Sequence, residues 1–444
     1  MLTIAIALAS TALGPQQPLW EKYESTWGDL TRIELETPGG PLPFVVEFAT
    51  VTDQDLYMYR ANGDLTYPFV GARILNGAEV MYVEVPSVSG GGYAGEVKRA
   101  TWDFSNYDSR LEGTGFSGCV MTGTHYEYLR RGTWSKARGE SVAEVPFITK
   151  EVEFADDRFD VIKTDVAAAD YTGRWSVDFS SSDDPAIGKF EVDENQLATG
   201  TFMTTTGDYR YLAGRVDGGL MRLSTFDGAH AFLFHARMQD DGTIAGDFWS
   251  GNWWHETWTA TRDPDARLPD MFEQTSVTDA DALDDLVFKA LDGTPTRVAD
   301  LLDATDAPAR VIEIFGSWCP NCADACAELK RLKDLFGDDL GVVGLAFELT
   351  DDHERSARQV ARYLERHGAD WTVLIAGLSD KDKASAELPI LDKVRSYPTT
   401  IFLNSNNEIV SVHTGFTGPA TGEAFSEQQR EYEKIIRGLM AEKP

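Results

Sequence analysis

The chain has 444 residues, of which 42% are apolar and 11% aromatic, and this length and content suit about two or three domains. Its 72 acidic and 40 basic residues give a formal charge of −32, and no cluster of Lys and Arg stands out that could neutralise a phosphate backbone. The composition therefore predicts a globular protein with a self-repelling acidic surface, and it argues against nucleic acid as a partner.

Residues 1–14 have the pattern of a signal peptide. The apolar run 2–13 contains small residues at 10–12 and is followed by Gly14, which suits a signal peptidase. The run is too short to span a bilayer as a helix, which needs about 20 apolar residues, and the basic residues that usually precede it are missing. We expect an exported protein, periplasmic or otherwise extracytoplasmic, with no transmembrane span beyond an uncleaved signal.

Residues 19–164 and 165–263 both predict antiparallel β-structure. Asn-Gly and Asp-Gly turn signals separate short segments rich in Val, Phe, Tyr, Trp and Thr. In the second region about eight such segments follow one another, from GRWSVDF at 173–179 to WHETWTA at 254–260. A meander of this kind predicts an up-and-down barrel or a strongly curved sandwich, in which one face of each strand is buried.

The most aromatic segment of this β region is NWWHETW at 252–258. Because side chains alternate across a strand, Trp254, Glu256 and Trp258 are expected on one side, and Trp253 on the other. We interpret the cluster as aromatic barrel core. A pocket lined by Trp for a ligand or partner is the alternative.

From residue 268 onwards, strands alternate with helical patterns, which predicts an α/β domain over 268–444. The predicted strands lie at residues 286–290, 309–315, 340–349, 371–377, 399–404 and 408–415. The predicted helices lie near residues 298–302, 322–336, 354–367, 385–394 and 424–440.

Three of the four cysteines fall within GSWCPNCADAC at 316–326, so their grouping needs a local explanation. The pattern places Cys319 at the start of a helix, where the positive end of the helix dipole favours a thiolate. Cys322 lies one turn further along, where it could attack a mixed disulfide on Cys319 and release a reduced partner. The stretch therefore predicts a redox-active Cys-X-X-Cys couple. Two inert cysteines or half of a zinc site are the alternatives, although no second Cys/His pair with ligand spacing follows.

Three short motifs occur at characteristic separations in this part of the chain. Trp318 and the two cysteines give Trp-Cys-Pro-Asn-Cys, Glu313 interrupts the apolar strand before them, and Tyr397-Pro398 precedes the strand TTIFLN. Together these motifs resemble the thioredoxin-fold domain of the TlpA/ResA type of exported thiol-disulfide oxidoreductases. The resemblance covers 268–444. It implies a multidomain protein in which an all-β barrel or sandwich region precedes an α/β thioredoxin fold.

The resemblance also implies roles for the motif residues. Cys319 and Cys322 would form the catalytic disulfide, Glu313 would be a buried proton acceptor for Cys322, and Pro398 would form a cis peptide bond that faces the cysteines. A strand residue that reaches solvent is the alternative for Glu313, because a buried carboxylate without a partner is costly. An ordinary turn proline is the alternative for Pro398.

The same resemblance implies that Trp318 and Tyr397 contact the substrate. Partners would be protein thiols and disulfides and a thiol electron donor, and neither a cofactor nor a metal is expected. We favour a reductase, with a role similar to cytochrome c maturation, over an oxidase. The motif itself does not distinguish the two directions, which differ in reduction potential.

The sequence leaves room for functions other than disulfide exchange. Cys322 and Cys326 form a Cys-X-X-X-Cys, which Sco-type copper proteins on this fold pair with a distant histidine, here His413. A buried structural thiol is the favoured interpretation of Cys326, and Cys119 is expected to be an isolated buried cysteine. A ligand-binding protein on a thioredoxin-like scaffold is a further alternative. A thiol peroxidase is less favoured, because Pro-X-X-X-Thr-X-X-Cys is missing before Cys319.

Overall fold

The computed structural model of the protein describes residues 25–51, 69–76, 79–83, 99–104, 109–114, 131–138 and 141–441. Across these residues the strands form three sheets, which follow one another along the chain. The expected signal peptide at 1–14 and Cys119 lie outside the described residues. No helix among the residues searched is long and apolar enough to cross a membrane.

The first sheet is antiparallel. Its strands are β1 Ser25–Thr37, β2 Gly40–Val51, β3 Phe69–Asn76, β4 Glu79–Val83, β5 Arg99–Phe104, β6 Ser109–Thr114, β7 Arg131–Arg138 and β8 Ser141–Glu151. They lie in the order β4-β3-β2-β1-β8-β7-β6-β5. Phe44, Trp134 and Phe147 are buried in its core, and Phe44 stacks on Phe226 of the following sheet at 4.2 Å. The sheet therefore shares a core with the element that follows it.

The second sheet closes into a barrel. Its strands are β9 Gly173–Phe179, β10 Ala186–Val192, β11 Leu197–Thr204, β12 Gly207–Asp208, β13 Leu212–Asp217, β14 Leu220–Phe226, β15 Ala231–Met238, β16 Ile244–Ser250 and β17 Trp254–Arg262. The strands pair in an antiparallel meander, and β10 pairs with both β9 and β11, which closes the ring. The predicted up-and-down barrel is therefore confirmed. The sequence did not indicate the short strand β12, which folds back on β11 as a hairpin.

Aromatic side chains fill the barrel interior. Phe202 is fully buried, stacks on Phe234 at 4.6 Å, and meets Trp258 edge to face at 5.0 Å. Trp258 and Glu256 are buried as the alternation predicts. Trp254 has the same parity but is 47% exposed, because it begins β17 at the rim of the barrel. Within the cluster, Trp258 and Glu256 are therefore buried as expected, Trp253 is half-buried against the core of the first sheet, and the other residues are exposed.

The third sheet is mixed. Its strands are β18 Val287–Ala290, β19 Pro295–Arg297, β20 Ala309–Phe315, β21 Leu340–Glu348, β22 Thr372–Leu378, β23 Thr399–Asn404 and β24 Ile409–Thr414. They lie in the order β19-β18-β22-β21-β20-β23-β24, with β20, β21 and β22 parallel to one another. The helices are α1 Val298–Ala304, α2 Pro320–Phe336, α3 His353–His367, α4 Lys381–Glu387 and α5 Glu423–Ala441. An all-β region followed by an α/β thioredoxin fold is the predicted fold class, which is confirmed.

One predicted helix is wrong. The sequence placed it at 385–394, whereas α4 begins after Asp380 and ends at Glu387. The Asp380 carboxylate accepts a hydrogen bond from the Lys383 N–H at 3.0 Å and so caps the first turn. Pro389 disfavours helical geometry at Leu388, which leaves the helix with φ −122° and ψ 69°.

Phe202→Ala is expected to destabilise the barrel by about 3–5 kcal/mol, because it opens a cavity among rings that have little freedom to collapse. The measurement is urea unfolding of the full chain followed by circular dichroism. Phe154→Ala is the matched control: that ring is 60% exposed, and its loss should cost less than about 0.5 kcal/mol. Equal shifts for the two variants would contradict the packing described here.

Candidate active site

The two cysteines lie at the junction of β20 and α2. Cys319 is the N-cap residue of α2, Pro320 follows in the first turn, and the backbone N–H of Cys322 donates to the Cys319 Sγ at 3.3 Å. Proline suits this position because its missing N–H would have no partner in the first helical turn. Cys319 is 7% exposed and Cys322 is fully buried. The outer cysteine is therefore the one that a partner can approach.

The environment of Cys322 disfavours its thiolate. Burial, together with the hydrogen bond and negative charge of Cys319, raises the pKa of the Cys322 thiol well above its usual value. The Tyr363 hydroxyl on α3 donates to the Cys322 carbonyl at 2.7 Å. Both cysteines are free thiols in the structure. The pair thus combines an outer sulfur held by a helix N-terminus with an inner thiol that holds its proton.

The proline loop faces the cysteines. The Tyr397–Pro398 peptide bond is cis, as predicted, and the Cys319 thiol donates to the Tyr397 carbonyl at 3.5 Å. The ring of Trp318 meets the ring of Tyr397 edge to face at 5.7 Å, and the Trp318 indole N–H donates to the Phe347 carbonyl at 2.9 Å. The structure therefore places Cys319, Trp318 and the Tyr397–Pro398 loop next to one another.

Glu313 lies in the middle of β20 and is fully buried. Neither of its carboxylate oxygens has a hydrogen-bond partner among the described residues. Burial, and secondarily the charge of Cys319, raises the pKa of Glu313 to about 8. The solvent-reaching alternative is therefore wrong, and the carboxyl group is mostly protonated at neutral pH. When it is ionised, its negative charge helps to raise the thiol pKa values of Cys322 and Cys326.

A second buried acid supports the cysteine loop and was not found from the sequence. Both oxygens of Glu348 accept hydrogen bonds from Ser317, one from the backbone N–H at 2.9 Å and one from the hydroxyl at 2.8 Å. Glu348 ends β21, the parallel neighbour of β20. Since the carboxyl ends of adjacent parallel strands meet at one edge of a sheet, an acid that ends an apolar strand was the available signal.

The residues considered for copper do not form a cluster. Cys326 is fully buried, and burial raises the pKa of its thiol. The Nδ1 atom of His413 lies 3.1 Å from the Gly415 carbonyl and 2.9 Å from the Tyr432 hydroxyl, and burial lowers the pKa of His413 to about 4. Within the part of the chain searched, no three His, Cys, Asp or Glu side chains are grouped to hold a metal ion.

Two curated proteins are similar in sequence to part of this chain. The thioredoxin-like protein YneN of Bacillus subtilis is 22% identical over 143 residues, which are 32% of this chain and 75% of YneN. The thiol-disulfide oxidoreductase ResA of Halalkalibacterium halodurans is 29% identical over 120 residues, which are 26% of this chain and 59% of ResA. No protein-family model matches the chain.

Solved structures also align with part of the chain. A thiol:disulfide interchange protein of the thioredoxin family from Chlorobium tepidum aligns with a TM-score of 0.26 and 16% identity, over 35% of this chain and 92% of that one. A secreted disulfide oxidoreductase of Mycobacterium tuberculosis has a TM-score of 0.26 and 17% identity, over 36% of this chain and 98% of that one. From the site geometry and the curated relatives, the chain contains a TlpA/ResA-like thioredoxin-fold domain, and the similarity covers about a third of its length.

Proposed function

We propose that the protein is a thiol-disulfide oxidoreductase that reduces disulfides in exported proteins through Cys319 and Cys322. The observation that carries the proposal is the arrangement of the pair. Cys319 Sγ accepts the N–H at the start of α2 and faces the Tyr397 carbonyl, while Cys322 is buried one turn below. This arrangement suits disulfide exchange, in which the outer thiolate attacks the substrate and the second thiol resolves the mixed disulfide.

In the first step of the proposed reaction, the Cys319 thiolate attacks one sulfur of the substrate disulfide. The substrate S–S bond breaks, a mixed disulfide forms on Cys319, and the leaving thiolate takes up a proton. Cys322 then loses its proton and attacks the Cys319 sulfur, which releases the second substrate thiol. The substrate has gained two electrons, and Cys319 and Cys322 have become a disulfide. A thiol electron donor must reduce this disulfide before the next cycle.

Glu313 is proposed as the group that takes the proton from Cys322. The burial of Cys322 opposes formation of its thiolate in the second step, so a nearby base is needed. The charge of Glu313 interacts with Cys322, and the pKa of Glu313, raised to about 8, lies close to the working pH of a general base. The carboxyl group has no hydrogen-bond partner in the described part of the protein that would hold it in another role.

We propose a reductase rather than an oxidase, a direction that is set by the reduction potential of the Cys319–Cys322 couple. We further propose that 268–444 is the catalytic unit, that Trp318 and Tyr397 contact the substrate, and that the protein acts outside the cytoplasm, with a role similar to cytochrome c maturation.

Cys319→Ser is expected to reduce the rate of disulfide exchange to the uncatalysed level, because the serine hydroxyl does not replace the thiolate as nucleophile. The measurement is reduction of a flexible peptide that contains one disulfide, with dithiothreitol as the thiol donor. Cys326→Ala is the matched control and should retain activity, since Cys326 has no step in the proposed reaction. Full activity of Cys319→Ser would refute the assignment of the nucleophile.

Glu313→Gln is expected to remove the dependence of the resolving step on a group with a pKa of about 8. In the wild type, the carboxylate fraction rises through pH 8, so the release of the second thiol should accelerate over that range. The variant should lack this rise and be slower by about tenfold or more at pH 8. The measurement is single-turnover kinetics from pH 6 to pH 9, with Glu354→Gln, whose side chain is 88% exposed, as the control.

Unfolding provides a second readout for Glu313. Because the folded state keeps the Glu313 proton above the ordinary value of 4.5, the stability that this proton contributes is present at low pH and lost as pH rises through about 8. Glu313→Gln should therefore be more resistant to urea than the wild type at pH 9, with a smaller difference at pH 5. A variant with the wild-type rate profile and this stability gain would show that Glu313 is buried for structural reasons only.

A further inference from the structure

A hairpin of the barrel lies against both loops of the active site. It consists of residues 204–208, where β11 turns into β12, and we call it the barrel hairpin. Its backbone turns at Thr205 and Thr206, and Thr205, Gly207 and Asp208 are buried. An exposed turn would be the ordinary location for such residues, so their burial shows that another part of the protein covers them.

The first contact is with the loop between the two cysteines. A Cβ atom added at Gly207 would lie 2.0 Å from the Nδ2 atom of Asn321 and 3.5 Å from the Phe416 carbonyl oxygen. Asn321 is the residue between Pro320 and Cys322. The missing side chain of Gly207 thus lets the barrel hairpin approach the Cys-X-X-Cys segment directly.

The second contact is with the proline loop and the strand beside it. The Ser396 hydroxyl, next to Tyr397, donates to the Thr206 carbonyl at 3.1 Å. A Cβ atom at Gly415 would lie 2.9 Å from the same carbonyl oxygen, and the Gly415 N–H donates to the Pro398 carbonyl at 2.9 Å. The barrel hairpin therefore bridges the cysteine loop and the proline loop.

Charged groups attach the barrel hairpin to the thioredoxin fold. The Asp208 carboxylate accepts a hydrogen bond from the Gly418 N–H at 2.7 Å. Arg210, just after the barrel hairpin, forms an ion pair with Asp324 on α2, and its Nε atom lies 3.5 Å from Asp227 of the barrel. The guanidinium thus offsets carboxylates from both parts of the protein. Without it, the carboxyl groups of Asp208 and Asp324 would lie close together with no cation beside them.

We infer that the barrel hairpin determines substrate specificity: it is a steric barrier on one side of the site, and it restricts the protein to disulfides in extended or flexible segments. This inference rests on the proposed disulfide exchange. A substrate has to bring a sulfur atom to Cys319, whose exposed fraction is 7%, and the barrel hairpin occupies the side of the site between Asn321 and Ser396. A narrow peptide passes beside Trp318 and Tyr397. A compact protein meets the barrel before its disulfide reaches Cys319.

The test compares a flexible disulfide-bonded peptide with insulin as substrates of the full chain. For the wild type, kcat/KM should be higher for the peptide. In Arg210→Ala, loss of the ion pair with Asp324 should let the barrel hairpin move away from α2, and kcat/KM for insulin relative to the peptide should rise about tenfold, or about 1.4 kcal/mol. Arg237→Ala, on the exposed surface of β15, is the matched control and should leave the ratio unchanged. An unchanged ratio in folded Arg210→Ala overturns the inference.

A second variant and a second reagent keep the test decisive if Arg210→Ala does not fold. Asp208→Ala removes the bond to Gly418 without removing the cation, and it should raise the same ratio. Alkylation of the reduced wild type, with peptide mapping by mass spectrometry, should label Cys319 readily with iodoacetamide and slowly with a polyethylene-glycol maleimide. The labelling rate of Cys319 is divided, for each reagent, by the rate of that reagent with a free thiol in solution. If this ratio is the same for both reagents, the inference is overturned. Failure of the wild type to reduce either substrate, with size-dependent labelling intact, refutes the exchange reaction alone.

Discussion

The hydrogen bond from the Cys322 N–H to the Cys319 sulfur is the interaction on which the site depends. It requires Cys319 to be the N-cap of α2, and so it fixes where β20 ends and where the helix begins. Glu348, on the neighbouring strand, accepts a hydrogen bond from the Ser317 N–H, which fixes the segment before Cys319. The Tyr397 carbonyl of the proline loop accepts a hydrogen bond from the Cys319 thiol. With these contacts in place, one sulfur faces outward and the other is enclosed by α2 and α3.

The second constraint on the site is the burial of titratable groups around α2. Glu313, Cys322 and Tyr363 are all enclosed, and in each of them burial is the main cause of a raised pKa. The interior of the site therefore favours bound protons and opposes the charges that the reaction creates. A base with a pKa near 8 is useful in such a place, since an ordinary carboxylate would already be ionised and too weak to accept a proton from a buried thiol.

The barrel contributes through its outer surface. Its interior is filled by rings such as Phe202, Phe234 and Trp258, which leaves the ligand-binding alternative without support from the core. Its hairpin at 204–208, in contrast, reaches the loops around the cysteines, and Arg210 crosses to α2. The β region and the thioredoxin fold thus meet beside the cysteine loop and the proline loop.

The sequence by itself determined the local features, because they depend on neighbouring residues. Strand alternation and turn residues were enough to predict the barrel meander, and the Trp-Cys-Pro-Asn-Cys motif with Glu313 and Pro398 indicated the redox site. The end of α4 was predicted wrongly, because the prediction followed the periodic pattern of apolar residues. The local signal was Pro389, which disfavours helical geometry at Leu388. The role of Glu348 and the contact between Gly207 and Asn321 were decided only by the tertiary structure. These contacts join residues that are far apart in the chain, and their hydrogen bonds, close approach and burial exist only once the sheets have packed together.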